Sequence, residues 1–219
     1  MICRSFIFSA APHHFFNRRA VLKTLVLALF FSWSSAAFAD YVVQGRKLSW
    51  TMTAVAGWIG GNYEQIEKIA HGSSNATARK LSQAMLRQAV NLDAYLINLD
   101  AKGTATRTLT SLRINVAGGF SASDLNRTWS GYADLILRDH PAGSTSRVVS
   151  RKSLTVGGYE AHEGLIEVVR PGNRKLYQAM CIVMISGAKS HLFRLQADET
   201  KFKKAHVDFR RMLDSVKYY

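Results

Sequence analysis

The sequence runs to 219 residues, with 29 lysines and arginines against 15 acidic residues and a formal net charge of +14 at pH 7. Two cysteines are too few for a disulfide framework, and no internal repeat, low-complexity tract or linker marks off a second folded domain. The positive surplus points to an anionic partner or to a basic, solvated surface.

Residues 1–39 read as a removable signal peptide. Arg4, Arg18, Arg19 and Lys23 lead into the apolar run Thr24 to Phe31, and Ala37-Phe38-Ala39 places small residues where a signal peptidase cuts. Ser32, Ser34 and Ser35 interrupt the apolar stretch, whereas a membrane-spanning helix needs about 20 apolar residues. Asn17-Arg18-Arg19-Ala20-Val21-Leu22-Lys23 resembles a twin-arginine export signal, but paired basic residues also suit the general secretory route, and both stay open. Cleavage would remove Cys3 and leave Cys181 alone, so the product, residues 40–219, could form no internal disulfide. No cysteine follows the cut to be acylated. Of the 29 basic residues four would leave with the signal and none of the acids, which keeps a surplus of ten in a single domain of about 180 residues.

Leu48, Trp50 and Met52 alternate with polar residues as in a half-buried strand, and Ala56 to Gly61 reads as a turn. Tyr63 to Ala70 and Ala76 to Ala89 are predicted helices about a turn at His71 to Asn75, the second with Ala78, Leu81, Met85 and Ala89 inward. Leu92 to Leu99 and Leu109 to Val116 form a predicted strand pair. A helix capped by Ser123 then buries Leu125, Trp129, Tyr132 and Leu135. The remainder reads as strands Val148 to Val156, Glu160 to Arg170, Leu176 to Ile185 and His191 to Ala197, turning at Gly157-Gly158 and Pro171-Gly172-Asn173. A closing helix follows, with Phe202, Ala205, Phe209, Met212, Leu213 and Val216 on one face. Because Tyr177 to Ile185 barely alternates, that strand is expected at the sheet centre with both faces covered. The class is α+β, a mostly antiparallel sheet flanked by helices.

Three stretches carry a family resemblance: Leu48-Ser49-Trp50-Thr51-Met52 running to Gly57-Trp58, the bend Val156-Gly157-Gly158-Tyr159-Glu160-Ala161-His162, and the terminal Phe209 to Val216 helix. The order of elements resembles the PsbP-like family, which takes in DcrB-like periplasmic proteins. The resemblance implies an α/β/α sandwich and a protein that binds proteins, lipids or assemblies.

The search for chemistry returns little. His71, His140, His162, His191 and His206 are widely spaced, with no ligand interval between any two; no metal and no cofactor is expected. No nucleophile-elbow or phosphate-loop motif occurs. Glu160, Glu163 and Glu167 lie close in sequence, and paired acids can cleave glycosides, but ion pairs with Arg170 or Lys152 or a solvated edge account for them more simply. Cys181 is expected to be a buried, inert thiol. Trp58, Tyr63 and Tyr159 stand beside or close to glycines, where aromatics can be presented to a partner or can cap the core. Arg147, Arg151, Lys152, Arg170, Arg174 and Lys175 would converge on an anion-facing edge if their strands adjoin. The expectation is an exported, periplasmic, non-enzymatic binding or accessory protein that contacts a protein partner or an anionic envelope component. Nucleic acid is disfavoured by location, peripheral membrane contact is allowed, and no transmembrane segment remains after cleavage. The alternatives are an immunity protein that blocks a secreted toxin and a hydrolase of envelope polymers.

Overall fold

The computed structural model describes residues 40–45, 49–72, 76–99, 105–115, 122–186 and 189–219. Residues 1–39, read above as a signal peptide, Leu48, the Ser73 to Asn75 turn and the 100–104 connection lie outside them. The strands are β1 (Tyr41–Gln44), β2 (Trp50–Ala54), β3 (Trp58–Gly61), β4 (Ala94–Leu99), β5 (Ala105–Asn115), β6 (Thr145–Val156), β7 (Tyr159–Arg170), β8 (Arg174–Ser186), β9 (Lys189–Asp198) and β10 (Lys217–Tyr218). The helices are α1 (Tyr63–Gly72), α2 (Ala76–Ala89), α3 (Ala122–Leu137) and α4 (Glu199–Asp214). Among the described residues no helix is long and apolar enough to cross a membrane.

Seven strands form an antiparallel sheet in the order β3-β4-β5-β9-β8-β7-β6, and β1-β2-β10 form a second, small one. Strand alternation sends side chains to two covers. On one face Ala179, Cys181 and Val183 of β8 and Phe193, Leu195 and Ala197 of β9 meet Ala205, Phe209, Met212 and Leu213 of α4, together with Trp50 and Met52 of β2. On the other, Ile166, Val168, Met180, Ile182 and Leu192 pack under Trp129, Ala133 and Ile136 of α3. Tyr95 and Ile97 of β4 carry a third cluster with Ile66 of α1 and Met85 and Ala89 of α2. This is the expected α+β layering of helices on both faces of an antiparallel sheet.

β8 has both faces covered as expected, although the central position belongs to β9. Several details differ from the sequence reading. Residues 58–61 are an edge strand, so the turn shrinks to Ala56-Gly57, and His71 and Gly72 extend α1. α3 begins at Ala122, which moves Ser123 into the first turn. Leu135, expected inward, is 49% exposed, while Ala133 and Ile136 are buried; α3 meets the sheet on the stripe through 129, 133 and 136, and Leu135 lies about 100° around from Ile136. The β6–β7 turn needs two left-handed residues, Gly157 at φ 58 and Gly158 at φ 85, a conformation that glycine adopts without penalty.

Candidate functional site

The pleat decides which charged residues meet. Glu167 pairs across β7–β8 with Tyr177, Arg170 with Arg174, and Ile166 with Gln178; Gln178 in turn pairs with Gln196. Side chains on directly opposed residues share a face, so Arg170, Arg174, Gln178 and Gln196 point to the α3 side, joined by Arg194, and Lys175 and Glu167 to the α4 side.

On the α4 side the basic side chains of the sheet are paired. Arg147 Nε donates to Glu167 Oε1 at 2.8 Å, Tyr177 Oη donates to Oε2 at 2.6 Å, and Lys175 Nζ stands 3.6 Å away. The hydrogen bonds from Tyr177 and Arg147 hold the Glu167 carboxyl below its usual range, and the hydrogen bond to Glu167 in turn pushes the Tyr177 hydroxyl up to about 12. Glu163, 3% exposed, accepts from His206 Nε2 at 2.8 Å and Arg210 Nη1 at 2.6 Å, with Lys152 Nζ at 3.7 Å. Burial pushes the Glu163 carboxyl up, but those hydrogen bonds and the charges of His206 and Lys152 outweigh it and leave it lowered. Neither glutamate is a solvated edge residue, and Arg170 pairs with neither. Cys181 beneath them is buried, and desolvation first, then Glu163, push its thiol up to about 12, as suits an inert thiol.

The α3 side differs. Arg170, Arg174, Arg194, Gln178 and Gln196, with Asp139, His140 and Pro141 after α3 and Pro171 of the hairpin, line an open cavity of about 570 Å³. Among the described residues none of the three arginines has a carboxylate within ion-pair distance. Burial, and then Arg170, lower the pKa of His140, against the opposing pull of Asp139. Burial also lowers Arg194, against the opposing pull of Asp139 and Tyr95. His140 Nε2, Arg170 Nε and Gln178 Oε1 are buried without a hydrogen-bond partner among the described residues. Gln178 Nε2 donates to Gln196 Oε1 at 3.2 Å.

The six basic residues picked from the sequence therefore do not form one edge. Arg170 and Arg174 reach the cavity, Arg151 points to the same sheet face from β6, and Arg147, Lys152 and Lys175 serve ion pairs on the opposite face. The aromatic set also separates. Trp58 is fully buried, its indole N–H donating to Asp208 Oδ2 at 3.3 Å, so it is a core residue and not a presented one. Tyr63 is half-buried at the start of α1. Tyr159 packs edge-on against Tyr218 with ring centroids 5.3 Å apart. β3 and β7 are five strand positions apart, roughly 24 Å along the sheet at ~4.8 Å per step, so Trp58 and Tyr159 make no common patch.

His140, Gln178, Arg194 and Gln196 were not singled out in the sequence. A signal existed for three of them. Gln178 interrupts an apolar strand, and Arg194 and Gln196 alternate with the buried Phe193, Leu195 and Ala197, a polar set facing inward on strands otherwise packed on both sides. No group of three or more metal-ligating side chains occurs among the described residues.

The architecture is that of the PsbP-like fold, an antiparallel sheet between helices. The solution structure of the cyanobacterial PsbP protein CyanoP from Synechocystis aligns with a TM-score of 0.53 over 84% of this chain and 95% of its own, at 13% identity. The Saccharomyces cerevisiae Ran-binding protein Mog1p aligns over 82% of this chain and 95% of its own with a TM-score of 0.48 and 10% identity. LpqN of Mycobacterium tuberculosis, described as involved in cell envelope biogenesis, covers 85% of this chain and 95% of itself at 0.45 and 12%. No family model and no curated protein sequence matches the chain. Likeness at such identity speaks to the fold alone.

Proposed function

We propose that this chain is an exported, periplasmic accessory protein that binds rather than catalyses, and that it grips an anionic group of its partner in the Arg170–Arg174–Arg194 cavity. The observation that carries the reading is the contrast between the two sheet faces. Arg147, Lys152, Lys175 and Arg210 are each paired with Glu163 or Glu167, whereas three guanidiniums converge on an open cavity with no carboxylate in ion-pair reach among the described residues. Guanidiniums keep their charge and present forked donors suited to carboxylate and phosphate oxygens. The basic composition that remains after residue 39 favours approach of such a group, and the segment 1–39 has the composition of an export signal.

The test is capture from a cross-linked envelope extract with the tagged protein at low and high salt, beside Arg174→Gln and Arg170→Gln variants. A partner retained by the wild type and lost from both folded variants supports the reading. Equal capture by all three overturns it. A toxin as the captured species would turn the general reading into the immunity one.

A further inference from the structure

We infer that the arginine cavity takes a phosphomonoester, a doubly charged phosphate carried on a compact hydroxylated body. The inference rests on the reading of this cavity as the binding site and adds the chemistry of what enters it.

Charge selects the phosphate. Arg170, Arg174 and Arg194 bring three fixed positive charges to the lining and Asp139 brings one negative charge. The C-terminal end of α3, at Leu137, adds the equivalent of about half a negative charge. Roughly one and a half positive charges remain uncompensated once that dipole is counted. A phosphomonoester carries about −1.5 to −2 at pH 7 and offers three acceptor oxygens, whereas a carboxylate brings one charge and two oxygens. Among the described residues Arg170 Nε–H is a donor out of water and without an acceptor. His140 Nε2 is buried and unpartnered in the same lining and can donate in the tautomer that carries its proton there. Buried donors without a partner are rare in native interiors, and an acceptor oxygen entering this cavity would satisfy both.

Volume and the amides select the body. A cavity of about 570 Å³ is many times the ~30 Å³ share of a water molecule, so a bare phosphate leaves most of it unfilled. Pro141 and Pro171 give it apolar wall. Gln178 is 3% exposed and its Oε1 has no partner, while its amide nitrogen is held by Gln196. If both amides are turned over, the unpartnered Gln178 atom becomes an NH₂. In either orientation one polar amide atom is left for the ligand, which a hydroxyl satisfies as donor or as acceptor.

Calorimetric titration of the purified protein with ribose 5-phosphate, ribose, inorganic phosphate and gluconate, and flotation with vesicles containing phosphatidic acid, test this directly. Ribose 5-phosphate should bind more tightly than phosphate or gluconate by tenfold or more, and ribose should not bind, if the natural group is borne by a soluble molecule. Flotation with phosphatidic acid but not with phosphatidylglycerol vesicles identifies a lipid headgroup as the source of the phosphomonoester and overturns the hydroxylated body, since phosphatidic acid carries no free hydroxyl. Arg174→Gln, at an exposed position that leaves the core intact, should weaken whichever arm binds at least tenfold. Gln178→Leu should weaken ribose 5-phosphate more than phosphate. Gluconate binding as well as ribose 5-phosphate, silence in every arm, or unchanged affinity in a folded Arg174→Gln protein overturns the inference. An arginine-dependent protein partner with no phosphomonoester binding sinks the ligand class while leaving the accessory role standing.

Discussion

Glu163 lies under α4 with three basic groups around it, and the burial makes that arrangement energetically consequential. Deleting one member of a buried ion pair costs ~3–5 kcal/mol; since the partners are partly open to solvent, Glu163→Gln should cost about 2–3 kcal/mol, read as a lower urea midpoint. Its carboxyl is lowered in the fold, so its contribution is present above the unfolded-chain value near 4.3 and is lost as pH falls below that value. His191 works over a higher window. It is fully buried between Ser111 Oγ at 2.6 Å and Tyr218 Oη at 2.8 Å, and burial pushes its pKa down to about 3. The unfolded chain takes up that proton near pH 6.5 and the fold does not, so stability should be full above 6.5 and decline toward pH 3. The slope approaches 1.4 kcal/mol per pH unit from this group, and His140, also lowered, acts in the same direction. In His191→Asn, less stable at pH 8, the decline between pH 6.5 and 4.5 should be much flatter. An unchanged slope would show that His191 is not held neutral.

At the scale of elements, α3 is seated through one position without a side chain. A Cβ at Gly164 would come within 2.7 Å of Trp129 Cδ2 and Cε3. Gly164→Ala should therefore cost about 1–3 kcal/mol as overpacking, with hydrogen exchange quickening in α3 before it does in α4. The elements themselves were largely legible, because periodicity of 2 and 3.6 is written into stretches such as Trp50 to Ala54 and Phe202 to Val216. What escaped the sequence was which face each strand residue serves. Alternation alone separates Arg174 from Lys175 and Arg151 from Lys152, but only the register places Arg174 with Arg170, and the irregularity between Val148 and Ser150 decides where Arg147 points. Trp58, open in the sequence to presentation or to capping the core, proves a core residue for a related reason. Its glycine neighbours are compatible with exposure, whereas the apolar cluster that buries it and the Asp208 carboxylate that accepts its indole N–H come from parts of the chain far away, Asp208 being 150 residues on. The cavity was half legible: Arg170 and Arg174 were picked out, and Arg194 was hidden within an apolar strand.

For the whole molecule, charge is distributed unequally between the two faces of one sheet, and the consequence is a salt test. Binding through the arginine cavity should weaken as ionic strength rises from 50 to 300 mM, whereas the unfolding midpoint, carried by apolar clusters and partly buried pairs, should move little. A midpoint that tracked salt as steeply as the affinity would place the surplus charge in the fold rather than in recognition. The small sheet has a consequence of another kind. β2 is completed by β10, with Thr51 opposite Lys217 and Trp50 opposite Tyr218, and Thr51 Oγ1 and Tyr219 Oη, 168 positions apart, lie 3.0 Å from each other. The short closing strand therefore couples two distant parts of the molecule: loosening Lys217–Tyr218 leaves Trp50 without its strand neighbour and withdraws from the buried His191 the hydroxyl that holds it, in one event.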